Sequence, residues 1–499
     1  MCGIVVAHGW TREDPLREMM GKLRHRGPDG EGDFRINGTH FGHVRLAILD
    51  APGGRQPMVN ERANLMVSFN GEIYNHLLLK AELEKNHRFR TRSDTEVLIH
   101  GFEEFGEDLL PRLDGMFAAA WAGPEGLLLA RDPYGIKPLY FGERSGAFLA
   151  ASELKAFPPM DSLQALPAGH AWSPGGAPWR YALPFPPRPV LASESLADSL
   201  ARLRQCLTRS VVKRLMSDVP VGVYLSGGLD SSLVAALMRP HVVNLHTFTA
   251  GMEGAPDLEA ARVVAKNLGT QHHELIYTAA EVRDALPEVI GALESFDAPL
   301  VRSAVPMYFV SRLAAQHVKV VLSGEGADEI FAGYPYLERL QGGPALKEEL
   351  AGMVERLQDT NLQRADRMSM AFGLEARVPF LDQALVRLAS RLPAEWLEPR
   401  PDRPEKWILR EACRGLLPPE IMERKKMKFS EGAGSASVAA ELARRSISPA
   451  VFQAEREVAH NLMLRSVEEL YYYRIWREQM PSHLSPALVG RTRDWTAAT

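Results

Sequence analysis

Hydrophobic and polar positions along the chain fall into two regimes. Up to about residue 160, short apolar runs recur between turns: HVRLAILD, NLMVSFNG, MFAAAWA, LLLARD and FLAAS. Runs of that length bounded by turn residues predict strands. Two stretches, around LLLKAELEK and DTEVLIHGFEEF, read as helical instead. Strands with helices laid on them predict a layered α+β unit. From Leu196 the period changes. Leu196, Leu200, Leu203, Leu207, Val211 and Leu215 recur three or four apart, one face of an amphipathic helix ending near Asp218. The apolar runs VPVGVYL, LHTFTA and VKVVLS then alternate with helical patterns, which predicts a parallel sheet with crossover helices. Beyond about residue 340 the chain reads as mostly helical.

The regimes meet at PGGAPWRYALPFPPRPV, with six prolines from Pro174 to Pro189. Proline fixes φ and removes a backbone donor, so neither a regular helix nor a central strand fits there. We place the boundary in this stretch, with domains 1–185 and 186–499. A length of 499 residues suits more than one core. Hydrophobic residues at 45% and charged residues at 24% match an ordinary globular protein. A net charge of −4 without a dense basic run excludes an electrostatic nucleic-acid footprint. No run approaches the roughly 18 apolar residues of a membrane helix. Three cysteines cannot build a disulfide framework and fit a reducing, cytoplasmic compartment.

The candidate chemistry begins at MCGIVV. If Met1 is trimmed, Cys2 carries both a thiol and a free α-amine, a nucleophile with its own base. NGE, Asn70 to Glu72, follows the strand LMVSF; a side-chain amide beside a glycine N–H can make an oxyanion hole. An Asn-Gly pair alone is equally a hairpin turn. Arg45 offers a two-pronged fork to a carboxylate, and Glu72 with Asp94 can hold an ammonium group. Together these describe a site for an amino acid with a side-chain amide, and glutamine fits.

The second half carries SGGLDSS, Ser226 to Ser232, between a strand and a helix. Backbone N–H groups at such a junction bind phosphate. No Lys-Ser/Thr pair follows the glycines, so this is not a Walker A loop, and cleavage between α- and β-phosphates is favoured over γ-phosphoryl transfer. LSGEGADE, Leu322 to Glu329, ends another apolar strand and faces the same crevice. Asp230 and Asp328 could therefore share a magnesium ion. Taken singly, each acid is as readily a solvated surface group.

Across most of its length the chain resembles the glutamine-hydrolysing asparagine synthetases, B-type members of the class II amidotransferases. The resemblance rests on MCGI, RHRGPDG, RLAILD, NGEIYNH, SDTEV, DGMFA, ARDPYGIKPLY, ASELKA, SDVPVGVYLSGGLDSS, LSGEGADEIFAGY, GLEARVPFLD and KMKFSEG. It implies an α+β N-terminal-nucleophile (αββα) glutaminase domain followed by an α/β parallel-sheet ATP pyrophosphatase-type synthetase domain. The implied substrates are glutamine, aspartate and ATP, with Mg2+, a β-aspartyl-AMP intermediate and an internal ammonia tunnel. A homodimer is admitted; nucleic-acid and membrane partners are not. By position, Cys2 is the implied nucleophile, with Asn70 and Gly71 as oxyanion hole. Arg45, Asn70, Gly71, Glu72 and Asp94 are the implied glutamine-binding residues. Leu225, Ser226, Gly227, Gly228, Asp230, Ser231, Ser232, Ala250, Ser323, Gly324 and Glu325 are implied for ATP, and Lys426 for transition-state charge. Asp230 and Asp328 remain the metal candidates.

One departure bears on the acid substrate. Where family members known to us carry Thr-Thr before x-Arg, this chain has Pro299-Leu300, and Arg302 remains. Two hydroxyl donors are lost. The alternative expectation is therefore an amidotransferase of the same chemistry acting on another carboxylic acid.

Overall fold

The computed structural model describes residues 2–10, 15–187, 194–340, 343–401 and 403–493. Met1 lies outside them, so the expectation that it is trimmed does too. The N-terminal half contains two six-stranded sheets. Strand Cys2–His8 lies inside the first, between Thr39–Arg45 and Ala147–Ala151, antiparallel to both. The second is centred on Met66–Ile73, Gly115–Gly123 and Gly126–Arg131, again antiparallel.

Alternation along each strand sends one set of side chains between the sheets and the other set outward. Ile4, Val6 and Phe41 from the first sheet meet Met66, Ala118 and Leu129 from the second in one buried cluster. On the outer faces, helix Leu16–Leu23 packs with Val5 and Val44, while helices His76–Leu83 and Thr95–Phe105 cover Phe69, Phe117 and Trp121. The result is four layers, helix–sheet–sheet–helix, as expected. HVRLAILD is only partly a strand, because Thr39–Arg45 ends at Arg45. The carbonyls after it turn inward to bind the Arg45 guanidinium. In the proline-rich stretch, Trp179–Arg180 forms a two-residue edge strand, a place where proline neighbours are tolerated.

The second half is built on a five-stranded parallel sheet in the order Gln271–Ile276, His246–Gly251, Val221–Tyr224, Val320–Leu322, Glu375–Arg377. The helix predicted to end near Asp218 spans Leu196–Lys213. Helix Leu229–Met238 opens directly from the SGGLDSS loop. Two strands of this parallel sheet escaped the apolar pattern. QHHELI carries three polar residues at its start. EAR is short and buries Glu375 and Arg377 as an ion pair of 2.6 Å.

The halves share buried contacts. Arg26, fully buried, donates to the carbonyl of Cys2 (3.0 Å), to Glu153 (2.7 Å) and to both carboxylate oxygens of Asp366 (2.8 and 3.1 Å). Asp366 sits on helix Asn361–Met370 of the second half. A buried charge so paired is strongly destabilising to break, so this contact fixes strand Cys2–His8 against the second half.

Candidate active sites

The register of the first sheet sets Cys2 opposite Arg45, and sheet stacking brings it to Asn70 of the second sheet. The Cys2 backbone N–H donates to Asn70 Oδ1 at 2.9 Å. That bond orients the amide and leaves Asn70 Nδ2 buried without a partner among the described residues. A buried unpaired donor is costly, and an oxyanion would satisfy it. Gly71 is required for a steric reason: a Cβ there would lie 2.0 Å from the Met116 carbonyl oxygen. Burial pushes the Cys2 thiol above its ordinary value, so it rests protonated and needs a base to attack.

Arg45 is tethered by the carbonyls of Ala51 (2.6 Å), Asp50 (3.0 Å) and Leu49 (3.3 Å). Guanidinium has five N–H donors, so two remain for a carboxylate. Asp94, just before helix Thr95–Phe105, accepts from the Ile73 N–H at 2.8 Å. Glu72 is buried beside it, with Oε2 unpartnered among the described residues. Burial and the Asp94 charge raise the Glu72 carboxyl well above its ordinary value. The sequence reading did not assign Arg377, although it lies in the motif GLEARVPFLD. This residue of the second half reaches Glu72 Oε1 at 3.2 Å and donates to the carbonyls of Arg214 and Met216, both at 2.6 Å.

The second site is a cavity of about 330 Å³ at the carboxyl ends of the parallel strands. Leu225, Ser226, Gly228, Asp230, Ser231, Ala250, Ser323, Gly324, Glu325, Asp328 and Lys426 all line it. Gly227 and Ser232 do not. Gly227 has φ +68° and presses on the next helix, where a Cβ would meet Ala260 at 2.4 Å. Its task is to turn the loop. Ser232 faces the protein interior and is fully buried.

Charge in this cavity is arranged more closely than the motifs indicated. Lys406 reaches Asp230 (2.5 Å) and Asp328 (2.6 Å), and Lys426 donates to the other oxygen of Asp328 (2.5 Å). Burial opposes ionisation of Asp328, but the two ammonium groups prevail and hold its carboxyl below the usual range. Lys406 is buried and adopts a left-handed backbone, φ 58° and ψ 29°. Such a conformation in a non-glycine residue clusters at functional sites. Its only sequence signal is PEKWILRE, which has no motif-like glycine or hydroxyl.

Pro299 and Leu300 line the same cavity, at the start of helix Ala298–Ala314. Arg302 does not. Its fork is held by both oxygens of Glu468, from helix Val467–Gln479, and Glu468 also accepts from Tyr472. The Arg302 guanidinium is thus engaged by Glu468 rather than presented to the cavity. The arginines facing the cavity are Arg364, Arg410 and Arg424. Arg364 pairs with Glu325 (2.6 Å) and Arg424 with Asp257 (2.8 Å).

An antiparallel double sheet whose first strand starts with a cysteine, joined to a parallel sheet carrying a glycine-serine loop, defines a two-site amidotransferase. Comparison with known proteins makes the assignment specific. The Glutamine amidotransferase domain family matches residues 1–169, and the Asparagine synthase family matches residues 202–347 and 338–497. The chain is 41% identical over 462 residues to asparagine synthetase [glutamine-hydrolyzing] 2 of Arabidopsis thaliana, covering 87% of this chain and 79% of that protein. The asparagine synthetase [glutamine-hydrolyzing] of Triphysaria versicolor is 37% identical over 520 residues, covering 95% and 85%. The chain belongs to the glutamine-hydrolysing asparagine synthetase family.

Proposed function

We propose that this chain makes asparagine from aspartate and ATP, using ammonia that it releases from glutamine, with the division of labour falling at residues 185 and 186. The observation that carries the reading is the pairing of an unpartnered Asn70 amide beside Cys2 with a lysine-carboxylate cluster beneath the SGGLDSS loop.

In the first site, the α-amine freed by loss of Met1 takes the thiol proton, and Cys2 Sγ attacks the side-chain carbonyl of glutamine. Asn70 Nδ2 and the Gly71 N–H receive the developing oxyanion. The remaining Arg45 donors hold the substrate carboxylate, and Glu72 Oε2 with Asp94 holds its ammonium group. Collapse of the adduct breaks the C–N bond as the α-ammonium returns its proton to the departing ammonia, and water then hydrolyses the γ-glutamyl thioester to glutamate and the free thiol. The ammonia passes to the second site across the contact between the halves, where Arg26 and Asp366 are buried.

In the second site, backbone donors of Ser226 to Ser231 grip pyrophosphate, and the acid substrate is carried as an acyl-adenylate. The buried Asp230 Oδ1 has no hydrogen-bond partner among the described residues, and Asp328 adds further oxygens. Hard oxygen donors of this kind fit Mg2+, which would neutralise phosphate charge when bound. Lys426 and Lys406 supply positive charge toward the departing pyrophosphate. Three free cysteines support a cytoplasmic location, and among the described residues no helix is long and apolar enough to cross a membrane. A homodimer is the assembly we propose.

The test is isotopic. Glutamine labelled with ¹⁵N in the amide should give asparagine labelled in its amide, with AMP and pyrophosphate in equal amounts. Formation of ADP instead would overturn the acyl-adenylate route.

A further inference from the structure

Three histidines from three separate elements meet at the edge of the parallel sheet. His246 opens strand His246–Gly251, His273 lies in the edge strand Gln271–Ile276, and His317 follows helix Ala298–Ala314. One ring nitrogen from each lies within 4.8 Å of the others. His246 Nδ1 and His273 Nε2 are 2.9 Å apart, and the His273 and His317 ring centres are 3.9 Å apart. None of the three lines the nucleotide cavity or touches the thiol site. We propose that His246, His273 and His317 form a separate site for a divalent transition metal of borderline softness, of which Zn2+ is the type.

The geometry suits that chemistry. A tetrahedral Zn2+ takes imidazole nitrogens at about 2.0–2.1 Å, which sets them about 3.3 Å apart. The His246–His273 pair already stands close to that spacing. Both are half-buried and held by parallel pairing of their strands, in which Phe248 opposes His273 and stacks on it at 5.1 Å. His317 is exposed, so rotation of its side chain closes the longest gap without moving backbone. The fourth position would be water.

Metal binding needs neutral imidazole. Burial, then the neighbouring rings, lowers His246 and His273 below the ordinary histidine range, His273 to about 4. Both are neutral at pH 7. The hydrogen bond between them requires one nitrogen to carry a proton. On metal binding that ring passes to its other tautomer, so a lone pair from each faces the ion. An ion here would tie the edge strand to the end of the helix whose first turn, at Pro299 and Leu300, lines the nucleotide cavity.

The experiment is calorimetric titration of the full-length protein with Zn2+ alone, without ATP or Mg2+, alongside His317→Ala and His273→Ala. Co2+ absorption is recorded in parallel, since a thiolate charge-transfer band would report capture by Cys2 instead. We expect one equivalent bound without that band, weakened at least tenfold in His317→Ala and lost in His273→Ala. Glutamine hydrolysis by metal-free His317→Ala should match that of the unaltered protein, which controls for folding. Equal binding by all three proteins, a thiolate band accounting for the bound equivalent, or no binding tighter than about 100 μM in the unaltered protein would each overturn the site.

Discussion

The two reaction centres solve different electrostatic problems. The thiol site is built from strand register. Cys2, Arg45, Asn70 and Glu72 lie on three antiparallel strands, and each is fixed by main-chain pairing before any substrate arrives. Among the described residues, its buried atoms without a hydrogen-bond partner include the Asn70 amide donor and one Glu72 carboxylate oxygen. The nucleotide cavity is built from loops and helix starts at strand ends, and its carboxylates are already paired, Asp230 and Asp328 with lysines, Glu325 and Asp257 with arginines. The first site is preorganised for one small substrate. On the proposed reading, the second exchanges internal ion pairs for phosphates and a metal, so its cations would move from protein partners to substrate. Rigid register gives precision, whereas a pre-paired cluster lets a strongly charged ligand enter without leaving buried charge bare.

Cys2→Ala breaks the comparison most completely. Loss of a nucleophile should lower glutamine-dependent synthesis by roughly 10⁴-fold or more. Synthesis from added ammonia should stay within about twofold, because only the first site uses the thiol. Loss of both activities in a folded variant would show that the sites are not separable.

Asp230→Asn attacks the other side. The substitution keeps shape and removes a charge that both Lys406 and a hard cation use. AMP formation should fall about 10²–10³-fold while glutamine hydrolysis persists, measured as glutamate release. A smaller effect would mean that the Asp230 charge is not used in ATP cleavage.

What was legible in the sequence follows the same division. Residues that act through a local motif were readable: of the six residues proposed from SGGLDSS, Ser226, Gly228, Asp230 and Ser231 line the cavity, whereas Leu225 and Ala250 were implied only by the resemblance. Residues that act through a distant partner were not. Arg377 reaches Glu72 across the two halves, and Arg302 is claimed by Glu468, 166 positions away. Lys406 is placed by a left-handed turn that its neighbours do not announce. Hydrophobic period cannot find strand Glu375–Arg377, because its burial rests on ion pairing rather than apolar alternation.

The pH dependence of glutamine binding sharpens the contrast. Glu72 is raised by burial and by Asp94, and must be ionised to hold the substrate ammonium. At low pH it is protonated, so KM for glutamine should rise as pH falls, by at most about tenfold per unit for a single proton. Binding of a non-hydrolysable glutamine analogue should release protons, seen as a dependence of calorimetric heat on buffer ionisation enthalpy. Glu72→Gln should flatten the pH profile while weakening binding. A KM independent of pH in the unaltered protein would place the ammonium elsewhere.

The smallest expected effect concerns Pro299-Leu300. Leu300 is 2% exposed, and the N–H of Leu300 donates to the Asp297 carboxylate at 3.3 Å, so threonine there keeps the backbone bond. Its side chain loses apolar contact but gains a hydroxyl on the cavity. Pro299 is exposed at the first turn, where threonine is tolerated. Arg302 is paired away from the cavity, so added hydroxyls cannot simply duplicate a donor already present. Pro299→Thr with Leu300→Thr should therefore lower KM for aspartate about fivefold, close to 1 kcal/mol, with a loss of stability of about 1–3 kcal/mol from the Leu300 change. The measurement is AMP formation at varied aspartate, with glutamate and larger β-carboxylates at equal concentration as controls. If the double variant weakens aspartate while the native chain prefers a bulkier acid, Leu300 is a specificity wall for that acid, and the amide-forming chemistry serves another substrate.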